Sequence, residues 1–126
     1  NDRITDHFVK VLERLEEILL KVESRSDKAE AAGHNVSSVR PLIDKASDRI
    51  SAAREAVRLQ AAKTYPINIT DEATAGQVVS AVRHTLNNDL AKVREAMRVA
   101  RDAVREAARA LSIIRGVDNE TATSTP

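Results

Sequence analysis

The sequence predicts an all-α protein, an antiparallel three-helix bundle that packs like a coiled coil and has a long third helix. Apolar residues recur at steps of three and four over three long segments, which is the spacing of one helix face and not the alternation of a strand. Alanine, the best helix former, takes twenty of the 126 positions, whereas glycine and proline take three each. Two short breaks separate the segments, and short connections between long helices favour antiparallel neighbours.

The first helix is predicted over about residues 5–32. Its apolar stripe has helical steps and consists of Phe8, Val11, Leu12, Leu15, Ile18, Leu19 and Val22. Thr5 or Asp6 is expected to cap its N-terminus, because a short side-chain oxygen there accepts a hydrogen bond from an unpaired backbone N–H. Gly33 is expected to end the helix, since glycine enters the left-handed region at little cost.

The second helix is predicted over about residues 38–63. Ser37 or Ser38 is expected to cap it, and Pro41 falls in its first turn, where a missing N–H costs least. Its seam advances by heptad-like steps of four and three through Val39, Ile43, Ala46, Ile50, Ala53 and Val57.

A break follows the second helix, because Pro66 pushes Tyr65 out of helical space. Ile67 and Ile69 are expected to form a brief extended stretch that covers one end of the bundle. These residues therefore belong to a connection and not to a helix.

The third helix is predicted over about residues 71–115, starting at Thr70 or Asp71 and ending before Gly116. Its stripe consists of Val78, Val82, Leu86, Leu90, Val93, Met97, Ala100, Val104, Ala107, Leu111 and Ile114. Asn87 and Asn88 disfavour a helix interior, so the sequence leaves open whether the helix breaks there.

Residues 1–116 are predicted to be one three-helix domain, followed by a polar Thr/Ser/Pro tail at 117–126. The third helix is longer than its neighbours, which leaves part of its apolar stripe without an intramolecular partner. The sequence therefore predicts an interaction surface for a second copy or another helical protein, formed by Val78, Val79, Val82 and Leu86.

Composition and motifs exclude several classes of protein. The chain has no cysteine, which excludes disulfides and thiolate sites, and no apolar run of the length that spans a membrane. A glycine-rich phosphate loop, a nucleophile elbow and a His-Glu-x-x-His pair are all missing from the sequence. We therefore expect a protein that is not an enzyme and carries no cofactor, although no particular activity follows.

The histidines and the glutamates of the first helix could in principle bind a metal ion or catalyse a reaction, but a structural explanation is favoured for each. One chemical alternative is a metal site at which His84 lies close to His7 and Asp6 near the start of the first helix, but surface histidines near helix ends are common and unmetallated. The glutamates of the first helix could form a catalytic pair only within a cleft, so a solvated face is favoured for Glu13, Glu16, Glu17 and Glu23.

The third helix also carries a basic row, Arg94, Arg98, Arg101, Arg105 and Arg109. One interpretation is that the row flanks the core and pairs with glutamates of the first helix, which has eight acidic and six basic residues. The other is a phosphate-binding stripe of a nucleic-acid binder. The net charge of +1 and the 2% aromatic content favour the first and argue against nucleic acid.

Other features concern processing. Three Asn-x-Ser/Thr triplets, at Asn35, Asn68 and Asn119, match the N-glycosylation signal, although helix boundaries use the same residue types. The missing initiator methionine, the lack of cysteine and the polar tail are together typical of an exported protein without its signal peptide. We therefore expect a secreted, periplasmic or cell-surface location.

One stretch supports a resemblance, Ser-Arg-Ser-Asp-Lys-Ala-Glu-Ala-Ala-Gly-His-Asn-Val-Ser-Ser at 24–38, followed by Leu-Ile-Asp-Lys-Ala at 42–46 and Ile-Ser-Ala-Ala at 50–53. It resembles small exported helical proteins of unknown function from ultra-small candidate-phylum bacteria, which share the helix, Ala-Gly turn, Val-Ser cap and second helix. The resemblance covers about 24–57 and extends more loosely into the third helix. It implies an extracytoplasmic, non-enzymatic protein and assigns no site residues. A structural or interaction module is the function we expect, with an envelope chaperone-like bundle as an alternative.

Overall fold

The computed structural model describes the backbone of residues 2–66 and 72–124, and the side chains of 3–66, 72 and 74–114. It confirms the all-α class and the bundle of three packed helices: α1 (Asp2–Ala31), α2 (Arg40–Ala62) and α3 (Ala75–Ser124). One 3-10 turn, Glu72–Thr74, precedes α3. Each helix packs on the other two, most extensively α2 on α3, and no strand occurs in the part of the chain described.

The core is a single, mostly aliphatic cluster drawn from all three helices. The entire seam predicted for α2 is buried, and so is the stripe of α3 from Leu90 to Leu111. Four alanines have little or no exposed surface at the helix contacts, Ala46, Ala53, Ala100 and Ala107. Small residues at these positions let the helix backbones approach closely, so the packing depends on their size as much as on their apolar character.

The turn between α1 and α2 is built from glycine and asparagine. Gly33 has a φ of +96°, and the N–H groups of Gly33 and His34 bond back to Glu30 and Ala29 at 3.0 and 2.9 Å. This is the Schellman ending expected at Gly33. The Asn35 side chain then accepts a hydrogen bond from the backbone N–H of Ser37 at 2.9 Å.

The predicted serine cap of α2 is wrong. The N-cap residue is Val39, without a side-chain cap bond, and α2 begins at Arg40 with Pro41 in its first turn. The physical reason is that Asn35 stabilises the preceding turn and Val36 accepts backbone hydrogen bonds from Val39 and Arg40 at 3.0 and 3.1 Å. These bonds stabilise the start of α2, which is the role predicted for a serine side chain.

The second connection begins at Lys63, whose extended backbone follows the end of α2 at Ala62. Tyr65 and Pro66 lie outside any helix, as predicted. The expected extended stretch at Ile67 and Ile69, and the expected cap at Thr70 or Asp71, lie outside the described residues.

α3 is longer than expected at its C-terminal end. It runs without interruption through Asn87 and Asn88, which settles the possible break, and it continues past Gly116 to Ser124. A glycine inside a helix costs about 1 kcal/mol relative to alanine, which weakens a helix without ending it. Between Arg115 and Thr125 the sequence has no proline, so Gly116 is the strongest helix-disfavouring residue in this part of α3.

The other end of α3 projects beyond its neighbours. Lys45 of α2 is level with Glu106 of α3, and Arg54 of α2 is level with Glu16 of α1, since each pair forms an ion pair. Because α2 runs antiparallel to both, Glu16 is level with about residue 97, and the start of α1 with about residue 83. Residues 75–82 therefore form an overhang past the first residue of α1.

Candidate interaction surfaces

The arginine row of α3 is exposed along its whole length, and two of its five members form ion pairs within α3. Arg98 bonds to Glu95 at 2.5 Å and to Asp102 at 2.9 Å, and Arg101 lies 3.6 Å from Asp102. The hydrogen bonds to Arg98 lower the pKa of the Glu95 carboxyl. The other three members form no ion pair within the described chain: Arg94, Arg105 and Arg109.

The expected pairing of this row with glutamates of α1 is wrong. Glu16 of α1 pairs instead with Arg54 of α2, and both Glu16 and Glu23 line the groove between α1 and α2. At the end of that groove Arg40 of α2 pairs with two further α1 carboxylates at 2.7 and 3.1 Å, those of Asp27 and Glu30. The acidic flank of α1 therefore faces α2 and not α3.

The opposite flank of α1 is basic. Five exposed cations recur there at helical steps of four, seven, four and three: Lys10, Arg14, Lys21, Arg25 and Lys28. Because all five side chains are exposed, they lie on the outer side of α1. Glu17 is exposed at its outer edge.

The arginine row of α3 lies on its exposed outer side, and Arg105 and Arg109 line a groove together with Lys45 and Arg49 of α2. Glu106 and Lys92 mark the α2 side of α3, because Glu106 pairs with Lys45 and Lys92 lines a groove with the end of α2. The first four members of the row each follow a buried seam residue by one position, whereas Arg109 follows Ala107 by two.

The four predicted contact residues of α3 separate into two groups. Leu86 packs against the core cluster, whereas Val78, Val79 and Val82 are half-buried and lie outside that cluster. The three valines belong to the overhang, 75–82, which contains no charged residue. Among these four residues, the three valines of the overhang are therefore the ones that take no part in the described core.

A polar network that the sequence pattern does not predict lies at the start of the second connection. The Tyr65 hydroxyl donates to Asp89 at 2.8 Å and accepts a hydrogen bond from the buried Gln60 amide at 2.7 Å. Lys63 adds an ion pair to Asp89 at 3.3 Å. The bond from Tyr65 lowers the pKa of Asp89, while burial of the hydroxyl raises the pKa of Tyr65. Only the position of the single tyrosine, just before Pro66, could have signalled it.

The remaining candidates are the histidine metal site and the three Asn-x-Ser/Thr triplets. No three His, Asp or Glu side chains lie close enough to hold a metal ion among the described residues. His7 is exposed and lies against Phe8, with ring centroids 6.2 Å apart. Asn35 acts in the turn, Asn68 lies outside the described residues, and of Asn119 only the helical backbone is described.

Within residues 2–66 and 72–124, none of the helices combines the length and apolar character needed to cross a membrane.

Comparison with protein-family models, with curated proteins and with solved structures found no match.

Proposed function

We propose that the protein is an exported, non-catalytic interaction module that self-associates through the overhang of α3. The observation that carries the proposal is that Val78, Val79 and Val82 lie on a helix segment that extends past α1 and takes no part in the core. An apolar stripe outside the core of a soluble bundle favours association.

A second copy is the partner that the chemistry of the overhang favours. A two-fold contact brings the same residues of both copies together, so any charge in the patch would face its like. The eight residues of the overhang carry no charge, in contrast to the remainder of α3, where 92–115 has seven basic and three acidic side chains. The overhang can therefore meet itself without electrostatic repulsion.

Cysteine cross-linking tests where the copies meet, because the chain has no cysteine of its own. Val82→Cys should form a covalent dimer rapidly under mild oxidation. Ile113→Cys is the matched control, since Ile113 is 64% exposed on the same helix but far from the overhang. Equal cross-linking rates for the two variants would remove the overhang as the contact.

Charge substitution tests whether the contact drives association. Val78→Glu/Val82→Glu should give a folded monomer, because two new charges in each copy would face each other across the contact. Helix content by circular dichroism and mass by light scattering check both parts of this expectation. Leu86 is left unchanged, since it packs on the core and its loss would destabilise the bundle itself. A mass unchanged by the substitution would contradict the proposal.

A further inference from the structure

The groove between α2 and α3 collects cations from both of its walls. Lys45 and Arg49 lie one helical turn apart on α2, and Arg105 and Arg109 lie one turn apart on α3. All four side chains are exposed, and the groove has a volume of about 550 Å³. Sites for small molecules have volumes of about 300–1,000 Å³, so this groove is large enough to hold one.

The carboxylates of this groove do not balance its cations. Its walls carry four cations against two acids, Asp102 and Glu106. Glu106 pairs with Lys45 at 3.3 Å. Asp102 pairs instead with two arginines outside the groove lining, at 2.9 and 3.6 Å. The three arginines of the groove therefore form no ion pair within the described chain.

The groove on the other side of α2 has the opposite sign. Its charged lining residues are three acids and one cation, Glu16, Glu23, Asp44 and Arg54. The cation there pairs with Glu16 of the facing helix, whereas the arginines of the α2–α3 groove stay unpaired. Like charges one turn apart on a helix repel each other, so the α2–α3 arrangement costs stability unless an anion neutralises it.

The four cations lie within a short length of the groove. Because Lys45 is level with Glu106 and α2 runs antiparallel to α3, Arg49 is level with about residue 102. Arg49 therefore marks one end of the cationic stretch, and Arg109 marks the other. About seven residues of α3 separate the two levels, which is a rise of about 10 Å at 1.5 Å per residue. The other two cations lie between these ends, so a ligand there meets four positive charges within about 10 Å.

We infer that this groove binds a chain of linked phosphates, which inorganic oligophosphate and the triphosphate group of a nucleotide both contain. Arginine suits such a ligand, because its planar guanidinium group binds a phosphate through two parallel hydrogen bonds. Among the described residues, no aromatic side chain lines the groove, so a nucleotide base has no ring on which to stack. The phosphates alone therefore supply the recognition.

An acidic peptide fits the groove less well. In an extended peptide the side chains on one face recur at every second residue, about 6.6 Å apart. Such a segment brings about two carboxylates to a stretch of about 10 Å, where the groove presents four cations. Linked phosphates carry a negative charge at every unit of the chain, so they match the density of cations more closely.

Calorimetric titration of the full chain with inorganic tripolyphosphate tests the inference. Binding should be measurable at about 50 mM salt and weaker at about 200 mM, because salt screens exposed charges. Inorganic monophosphate should bind at least about tenfold more weakly, since one phosphate cannot contact cations at both ends of the groove. Adenosine triphosphate should bind with an affinity similar to that of tripolyphosphate. A nucleotide that bound much more tightly would contradict recognition by the phosphates alone.

A matched pair of double variants locates the site. Arg49→Gln/Arg105→Gln removes one unpaired cation from each wall and should weaken tripolyphosphate binding about tenfold for each lost cation. Arg14→Gln/Arg94→Gln removes two exposed, unpaired arginines of α1 and α3 that do not line the groove, and should leave the affinity nearly unchanged. Both variants lose the same charge, so the comparison separates the groove from the net charge of the chain.

Three further results would overturn the inference. The first is no binding of tripolyphosphate at about 50 mM salt, where screening is weakest. The second is an equal loss of affinity in the control variant, which would mean that net charge and not the groove attracts the ligand. The third is a short oligoglutamate peptide that binds as tightly as tripolyphosphate, which would assign the groove to an acidic peptide.

Discussion

At the scale of single residues, the network around Tyr65 fixes the connection between α2 and α3. Gln60 is buried, and its amide would lack a hydrogen-bond partner without the tyrosine hydroxyl. Asp89 in turn accepts bonds from both Tyr65 and Lys63, so one carboxylate of α3 holds both residues of the connection. The network therefore anchors the connection just where α2 ends and α3 continues beyond the bundle.

This network makes the free energy of unfolding depend on pH in the acidic range. The bond from Tyr65 and the charge of Lys63 lower the pKa of Asp89 in the folded protein below its unfolded value of about 3.9. The folded state then binds fewer protons, so the contribution of Asp89 is complete above about pH 5 and is lost as the pH falls through the folded pKa. Urea unfolding of the unchanged chain should show this loss. The Asp89→Asn variant should have a lower free energy of unfolding at neutral pH, and that free energy should change less with pH below pH 5.

The control for this prediction is Asp48→Asn, because Asp48 is exposed and forms no ion pair within the described chain. Its acid dependence should match that of the unchanged chain. If Asp89→Asn kept the full acid dependence, the carboxylate would not be coupled to the fold through Tyr65 and Lys63.

At the scale of the helices and turns, two glycines make opposite contributions. Gly33 has a φ of +96° at the end of α1, whereas Gly76 lies in the first turn of α3 without a positive φ, and neither has an atom within 4 Å of an added Cβ. Gly33→Ala should therefore destabilise by about 1–2 kcal/mol, because a side chain is strained in the left-handed region. Gly76→Ala should stabilise by about 0.5–1 kcal/mol through helix propensity.

Thermal or urea unfolding of the two alanine variants checks the prediction directly. Because both sites have open space, the two substitutions differ in backbone conformation and not in packing. A change of the same sign in both variants would contradict the assigned role of Gly33.

Helix periodicity explains why the elements could be predicted. The seam of α2 and the stripe of α3 from Leu90 onward repeat with helical spacing, and a repeat of that kind depends only on local sequence. The ending at Gly33 is equally local, since one residue type satisfies it. The predicted start of α2 is too early because Asn35 caps the turn before the helix, and a serine two residues later has the same sequence signature.

At the scale of the whole molecule, the surfaces depend on which helix flanks face each other. The sequence contains both the acidic and the basic flank of α1, but it does not state that the acidic flank faces α2. Topology decides this, because the handedness of a three-helix bundle is not a local property. The arginine row is predicted to pair with glutamates of α1, whereas Glu16 pairs with Arg54 of α2 and the row is exposed.

The same scale explains the overhang. The length of α3 predicted an unmatched apolar segment, and the ion pairs between helices locate it at residues 75–82. Leu86 falls within the register of α1 and packs on the core, whereas Val78 and Val82 lie beyond it. The self-association surface is thus defined by the difference in length between α3 and its neighbours.

The most direct test of the central claim is the mass of the full chain in solution, measured by size exclusion with light scattering at low and high salt. Self-association through an uncharged apolar overhang predicts at least twice the chain mass of 13.8 kDa, and the same mass at both salt concentrations. A particle of 13.8 kDa at every concentration would contradict self-association. A dimer that dissociates at high salt would instead assign the contact to charged faces and remove the overhang from it.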